Sequence, residues 1–309
     1  MVRLAVLALC LALAAGSSAE DRENREVAVT IDDLPVASAG ASRERQTAIT
    51  AHLLPALKRS GAPVVGFVNE GKVLDDLPLL EQWLDAGFEL GNHTRSHKSL
   101  HRVQPEEYEQ DILGGETRLR PLLEQRGMKL RWFRHPFLMT GTSLETRERI
   151  LRFLAAHEYR VAPVTIDNSE WIYARAFDEA HARGDEALMQ RVAEAYIPYM
   201  ESKFAYFEEQ SRKLFGRNIR HILLLHANAL NATTFDQLAA MMRRRGYRFI
   251  TLERAVADPA YRSADTYIGR GGISWLHRWA RGAGKTRDFF GDEPKVPKWV
   301  METAKVESE

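Results

Sequence analysis

Short runs of β-branched and aliphatic residues alternate along the chain with longer stretches whose apolar residues recur at helical spacing. Residues 27–34 read as a strand. Residues 43–59 read as a helix with Ile49, Leu53, Leu54 and Leu57 on one side, and residues 63–68 as a second strand. A helix over 79–86, stopped by Gly87, leads into a third strand at 88–92. The rhythm continues with a helix over 105–126, a strand at 130–133, a helix over 144–157 and a strand at 160–166. After a long helical stretch come a strand at 221–225, a helix over 235–245 and a last strand at 248–252. Seven strands alternating with helices predict a parallel α/β protein, either a barrel or a doubly wound sheet.

Three regions depart from this rhythm. Residues 1–19 carry Arg3, then a uniformly apolar run, then Ser17-Ser18-Ala19, the pattern of a secretory signal; the run is shorter than the roughly 20 apolar residues of a spanning helix. Cys10 lacks the small residue before it that a lipobox needs, because Leu9 stands there. Residues 171–215 are helical by pattern and rich in aromatics (Tyr173, Phe177, Tyr196, Tyr199, Phe204, Tyr206 and Phe207), which either pack helices onto the barrel or wall a substrate groove. Residues 258–309 are rich in glycine and arginine, contain Trp275, Trp279 and Trp299, and read as an extension packed on the barrel with a polar tail. The expected organisation is therefore a signal at 1–19, a catalytic domain at 20–257 and this extension.

Composition removes several classes. The chain has 309 residues, with 43 basic and 42 acidic side chains, 45% hydrophobic residues and one cysteine. Loss of residues 1–19 would take Arg3 and Cys10 with it, leaving a charge-balanced, cysteine-free product. Such a chain is neither disordered, nor a disulfide scaffold, nor a polycation for nucleic acid. The GAGKT at residues 282–286 lacks the leading glycine and preceding strand of a phosphate loop, so no nucleotide site is expected there. The implied destination is a bacterial periplasm or the medium, with no stable membrane insertion; oligomeric state is open.

The chemistry gathers at the C-terminal ends of the strands, which in a parallel barrel share one face. The first strand ends in Asp32-Asp33, the third runs into His93 and His97, and the fourth into Arg134-His135-Pro136-Phe137. The fifth ends at Asp167, with Trp171 four residues on, and the sixth at His226. Two imidazoles and one carboxylate make a metal site with positions open to water and substrate. The i, i+4 spacing lets both imidazoles converge, in a helical turn or a tight loop. Consecutive side chains at a strand end diverge, so one aspartate is free to act as a base.

TIDD at residues 30–33, HTRSH at 93–97, RHPF at 134–137, DNSEW at 167–171 and LLH at 224–226 resemble, in order, the five motifs of the NodB-type polysaccharide deacetylases, carbohydrate esterase family four. The resemblance spans residues 27–252 and implies a distorted (β/α) barrel with about seven parallel strands. It implies Asp33, His93 and His97 as ligands of one divalent ion, Zn2+ most often, with Co2+ or another ion able to substitute. Asp32 would be the general base, paired with and oriented by Arg134. His226 would be the proton donor, held and tuned by Asp167. Trp171 and Leu224 would wall an acetyl pocket, and a backbone N–H near Phe137 would stabilise the oxyanion. The first motif departs from the family's TFDDG at Ile31 and Leu34-Pro35, and the fourth has Glu170 where aspartate is more common.

The expected function is a secreted metal-dependent deacetylase acting on N- or O-acetyl groups of a glycan such as peptidoglycan, a chitin-like oligomer, xylan or an exopolysaccharide. Two competing readings are a metal-dependent hydrolase of cyclic amides on the same fold and a glycan-binding relative without catalysis. The signal argues against the first, and the intact Asp32 and His226 against the second.

Overall fold

Alternating apolar runs give a sheet only if their backbone groups pair, and here the pairing is wholly parallel. The computed structural model describes residues 25–38, 40–73 and 77–309, so the signal expected at 1–19 lies outside the described residues. In chain order the elements are β1 (Glu26–Leu34), α1 (Arg43–Ser60), β2 (Val64–Val68), α2 (Leu77–Asp85), β3 (Glu89–Asn92), α3 (Pro105–Gly114), α4 (Leu119–Glu124), β4 (Trp132–Phe133), α5 (Leu144–Ala156) and β5 (Arg160–Val161). There follow α6 (Glu170–Ala182), α7 (Glu186–Phe215), β6 (His221–His226), α8 (Ala229–Arg244), β7 (Arg248–Phe249), α9 (Leu252–Val256), α10 (Trp275–Gly282) and α11 (Lys298–Ala304).

The strands lie in the order β5-β4-β3-β2-β1-β6, with β7 pairing the start of β1 through Glu26↔Arg248 and Val27↔Phe249. Past β5 the chain leaves β4, and Ile166 bridges in parallel to Leu223 of β6, closing the ring at a single point. This is the distorted barrel the motifs imply. β1 is buried along its whole length, as a central parallel strand covered on both faces must be. Its alternate residues divide between two cores: Val27, Val29 and Ile31 pack in the large cluster with the helices, whereas Ala28 joins Val65, Phe67, Trp132, Ala162 and Ile222 in a second cluster. Because side chains alternate at period two, this second cluster is the barrel interior, and continuing the series through Thr30 brings Asp32 to its mouth.

The strands expected at 130–133, 160–166 and 248–252 shrink to two residues each, Trp132–Phe133, Arg160–Val161 and Arg248–Phe249. The segment 160–166 pairs with β4 only to Ala162, whose N–H reaches Phe133 O at 2.8 Å; Pro163 has no N–H to offer, and the chain then switches to β6. The helix expected over 105–126 is two helices, broken at Gly114-Gly115. A Cβ on Gly115 would lie 2.3 Å from Asn92 Oδ1 and 3.0 Å from Thr94 Cα, so only glycine lets the chain lie against the 92–94 loop.

Apart from the exposed Trp171, the aromatics singled out on α6 and α7 (Tyr173, Phe177, Tyr196, Tyr199, Phe204, Tyr206 and Phe207), together with Trp275 and Trp279 of the extension, are buried in the large core. Packing, rather than a sugar-facing surface, accounts for them. Among the described residues no helix is long and apolar enough to cross a membrane.

Candidate functional site

Adjacent aspartates at a strand end should point apart, yet Asp32 and Asp33 both line one cavity of about 950 Å³. A β-bulge resolves the conflict. Ile31 pairs with Gly66 and Leu34 with Val68, three steps on β1 against two on β2, and Asp33 takes φ 67°. A bulge re-aims a side chain in this way, at the cost of a backbone conformation that non-glycine residues rarely adopt.

The β3 end is shaped similarly. Asn92 is fully buried: its Oδ1 accepts from Thr94 N (2.8 Å), and its Nδ2 donates to Ile112 O and Tyr159 Oη (both 2.9 Å). Thr94 and His97 take φ 63° and 54°, and His97 N donates to Thr94 Oγ1 at 3.0 Å. The HTRSH segment is thus a tight loop rather than a helical turn. His93 Nδ1 lies 2.8 Å from Arg134 O, which can only accept; Nδ1 carries the hydrogen, and Nε2 is left with a free lone pair.

That lone pair faces Asp33. His93 Nε2 and His97 Nε2 lie 3.7 and 3.3 Å from Asp33 Oδ1, and all three ligand atoms fall within 4.8 Å of one another. Two donors each about 2.1 Å from one tetrahedral ion are separated by about 3.4 Å, so the spacing fits a shared cation. The donor chemistry fits too. Burial, with His97 nearby, pushes His93 well below its usual range, and burial also lowers His97, so both are neutral imidazoles able to ligate. Burial would raise Asp33, but His97, Lys72 and His93 bring its carboxyl down to about 2, and its buried Oδ1 has no hydrogen-bond partner. Asp33, His93 and His97 could therefore hold a metal ion.

Asp32 is held differently. Burial raises its carboxyl to about 6 against the opposing charges of Arg134 and His226. Arg134 is fully buried. Its Nη1 stands 3.7 Å from Asp32 Oδ2, a charge contact longer than a hydrogen bond, while Nη2 donates to Thr30 Oγ1 at 2.9 Å. Its guanidinium also stacks 4.7 Å above the Phe67 ring.

Across the cavity, His226 pairs with Asp32 in the β1–β6 register. Its partner carboxylate is not the expected one. His226 Nδ1 donates to Glu170 Oε2 at 2.8 Å, whereas Asp167 turns its Oδ1 to the N–H of Asn168 at 2.9 Å. The turn between them explains the exchange: Asn168 Nδ2 donates to Leu224 O (2.8 Å) and its Oδ1 accepts from Glu170 N (3.0 Å), pinning the start of α6 against β6. Glu170 is thereby delivered to His226. Its other oxygen accepts from Asn231 Nδ2 at 2.6 Å and from Asn228 Nδ2. Burial alone would lower His226, but the hydrogen bond and charge of Glu170, aided by Asp33 and Asp32, raise it to about 9.

The expected pocket residues also reach the cavity. Leu224 is nearly buried, Trp171 is 41% exposed, and Phe137 is 55% exposed with its ring 4.5 Å from that of His97. The sequence reading did not single out Lys72, whose Nζ lies 3.5 Å from Asp33 Oδ2, or Gly271 and Gly272, which line the cavity from the extension. Glu170 did carry a signal: it occupies the fourth-motif position where the family more often has aspartate.

Residues 19–161 match the family model described as polysaccharide deacetylase. The match takes in Asp32, Asp33, His93, His97 and Arg134 and ends before Glu170 and His226. No curated protein matches the chain. Among solved structures, a family 4 carbohydrate esterase pseudoenzyme from Bacillus anthracis is 16% identical, covering 76% of this chain and 66% of its own, with a TM-score of 0.50. A mutant of such a pseudoenzyme with restored enzymatic activity is 17% identical over 76% and 68%, with a TM-score of 0.50. A family 4 carbohydrate esterase from Streptomyces lividans in complex with acetate is 17% identical over 75% and 96%, with a TM-score of 0.49. The fold is common to an inactive protein and its reactivated mutant, so fold alone does not decide catalysis.

Proposed function

From the premise that residues 19–161 belong to the polysaccharide deacetylase family, we propose that this chain is an exported, metal-dependent hydrolase that removes acetyl groups from the sugars of a glycan. The observation that carries the reading is the pairing, across one cavity, of a free buried carboxylate at Asp32 with an imidazole at His226 held by Glu170. A pure binder has no use for a base facing an acid. The signal expected at residues 1–19 supports export and speaks against metabolism of cyclic amides inside the cell.

Asp33, His93 and His97 hold the ion, and Zn2+ suits their one carboxylate and two neutral imidazoles. When bound, it supplies Lewis acidity that makes water nucleophilic at neutral pH. Asp32 accepts the proton of the attacking water, and Arg134 keeps the carboxylate charged and in place. The backbone N–H of Phe137 stabilises the negative charge that grows on the acetyl oxygen. His226, kept protonated by Glu170, gives its proton to the departing amine or alcohol. Trp171 and Leu224 flank the acetyl methyl, which disfavours larger acyl groups.

The test is acetate release from a panel of N- and O-acetylated glycans by residues 20–309, with added zinc and after chelation. Release that chelation abolishes and zinc restores is the expected result. Metal-independent release, or none from any member, contradicts the reading.

A further inference from the structure

Phe137 and Leu138 are consecutive non-glycine residues in the left-handed region, with φ 56° and 54°. Such conformations persist only where the surroundings over-determine them. The surroundings come from far along the chain. Gly272 lies flat on this loop, where a Cβ would fall 1.7 Å from Phe137 O. Arg278 of α10, fully buried, reaches Leu138 O with Nη1 at 3.5 Å and also donates to Thr140 Oγ1. Asp265 fixes that guanidinium through Oδ2 at 2.8 Å from Nε and 2.7 Å from Nη2. Arg147 of α5 shares the clamp: its Nε meets Thr140 Oγ1 at 3.2 Å, and its other nitrogens donate to the carbonyls of Asp265 and Tyr267. The segment is moored to the barrel by Trp275 N on Val164 O (2.7 Å) and Ser274 Oγ on Thr165 O (3.1 Å).

We propose that residues 265–278 are the template on which the active-site loop 136–140 is formed, and that Arg278 is a positioning residue of the deacetylase site. The inference rests on the function proposed above. A rigid planar fork reaching a carbonyl, a hydroxyl and a carboxylate at once fixes the loop in a way that a single lysine ammonium does not. The Phe137 N–H and the Phe137 ring over His97 are thereby set by residues outside the stretch that the family model matches.

The experiment uses Arg278→Met, Arg278→Lys and Gly272→Ala in the full chain, following amide hydrogen exchange at 137–140, bound metal, kcat and KM. Arg278→Met should speed exchange in the loop about tenfold or more while leaving the β1 amides protected. Its kcat should fall about 100-fold with KM within about threefold and bound metal unchanged, as expected when donors to the transition state lose their place. Arg278→Lys should recover only part of that loss. If Arg278→Met does not fold, Gly272→Ala decides, because its methyl meets the loop backbone directly. Unchanged loop exchange, or kcat within about twofold of wild type in folded Gly272→Ala, overturns the proposal. A wild-type chain that releases no acetate refutes the functional reading, and loop exchange still judges this one.

Discussion

On the Asp33 side of the cavity the backbone does the positioning, with Asp33, Thr94 and His97 all at left-handed φ and a bulge turning two neighbouring carboxylates into one space. On the His226 side, side chains do it: Glu170, Asn228 and Asn231 form a buried network, and neither His226 nor Glu170 is at positive φ. The first arrangement fixes three donor atoms within 4.8 Å of one another. The second fixes a charge state, because the hydrogen bond and charge of Glu170 raise the His226 imidazole to about 9. Ligation needs geometry, and proton transfer needs a tuned affinity for a proton.

The two sides of the cavity should fail separately. His226→Gln should reduce acetate release about 1000-fold while leaving bound metal unchanged by elemental analysis. Loss of metal in that variant would mean that the halves are not separable. Glu170→Gln should lower kcat about 100-fold, because the imidazole loses its orienting anion, whereas Asp167→Asn should cost less than about tenfold. Equal effects would return the tuning role to Asp167.

A smaller effect separates the two sides by pH. Activity needs Asp32 deprotonated and His226 protonated, so it should rise with pH through the Asp32 limb, at or below about 6, and fall through a limb near about 9. A bound cation favours the ionised carboxylate and moves the acid limb lower. Glu170→Gln removes the main charge that raises His226, so the alkaline limb should move down toward the ordinary histidine range. An alkaline limb that stays put would show that Glu170 does not set it. Smallest of all, Trp171→Ala should raise KM about three- to tenfold on acetylated sugars with kcat nearly unchanged, since it removes apolar contact with the bound acetyl group.

What the sequence made legible follows the same division. The motifs with Asp32-Asp33, His93 and His97 are short and local, and the strands leading to them are apolar runs bounded by polar residues, so the parallel α/β class and the convergence of these residues on one face could be read from the chain, while the barrel and the choice of Asp33 over Asp32 came from the family resemblance. The β1 bulge was not legible, because nothing in TIDDL marks an extra residue in the ladder. The partner of His226 was misread for a spatial reason. Asp167 and Glu170 are three residues apart, and the choice between them depends on the Asn168 turn against Leu224, a contact across 56 residues of chain. The extension was legible only as an appendage, since its bearing on the 136–140 loop rests on Gly272 and Arg278, which carry no motif.

Bound zinc and acetate release in Asp32→Asn and Asp33→Ala decide whether one of the two adjacent aspartates holds the ion while the other takes the proton. Asp32→Asn should keep one zinc per chain and lose about 100- to 10,000-fold in turnover, whereas Asp33→Ala should lose both zinc and turnover. Equal zinc loss in the two variants, or wild-type turnover in Asp32→Asn, would contradict it.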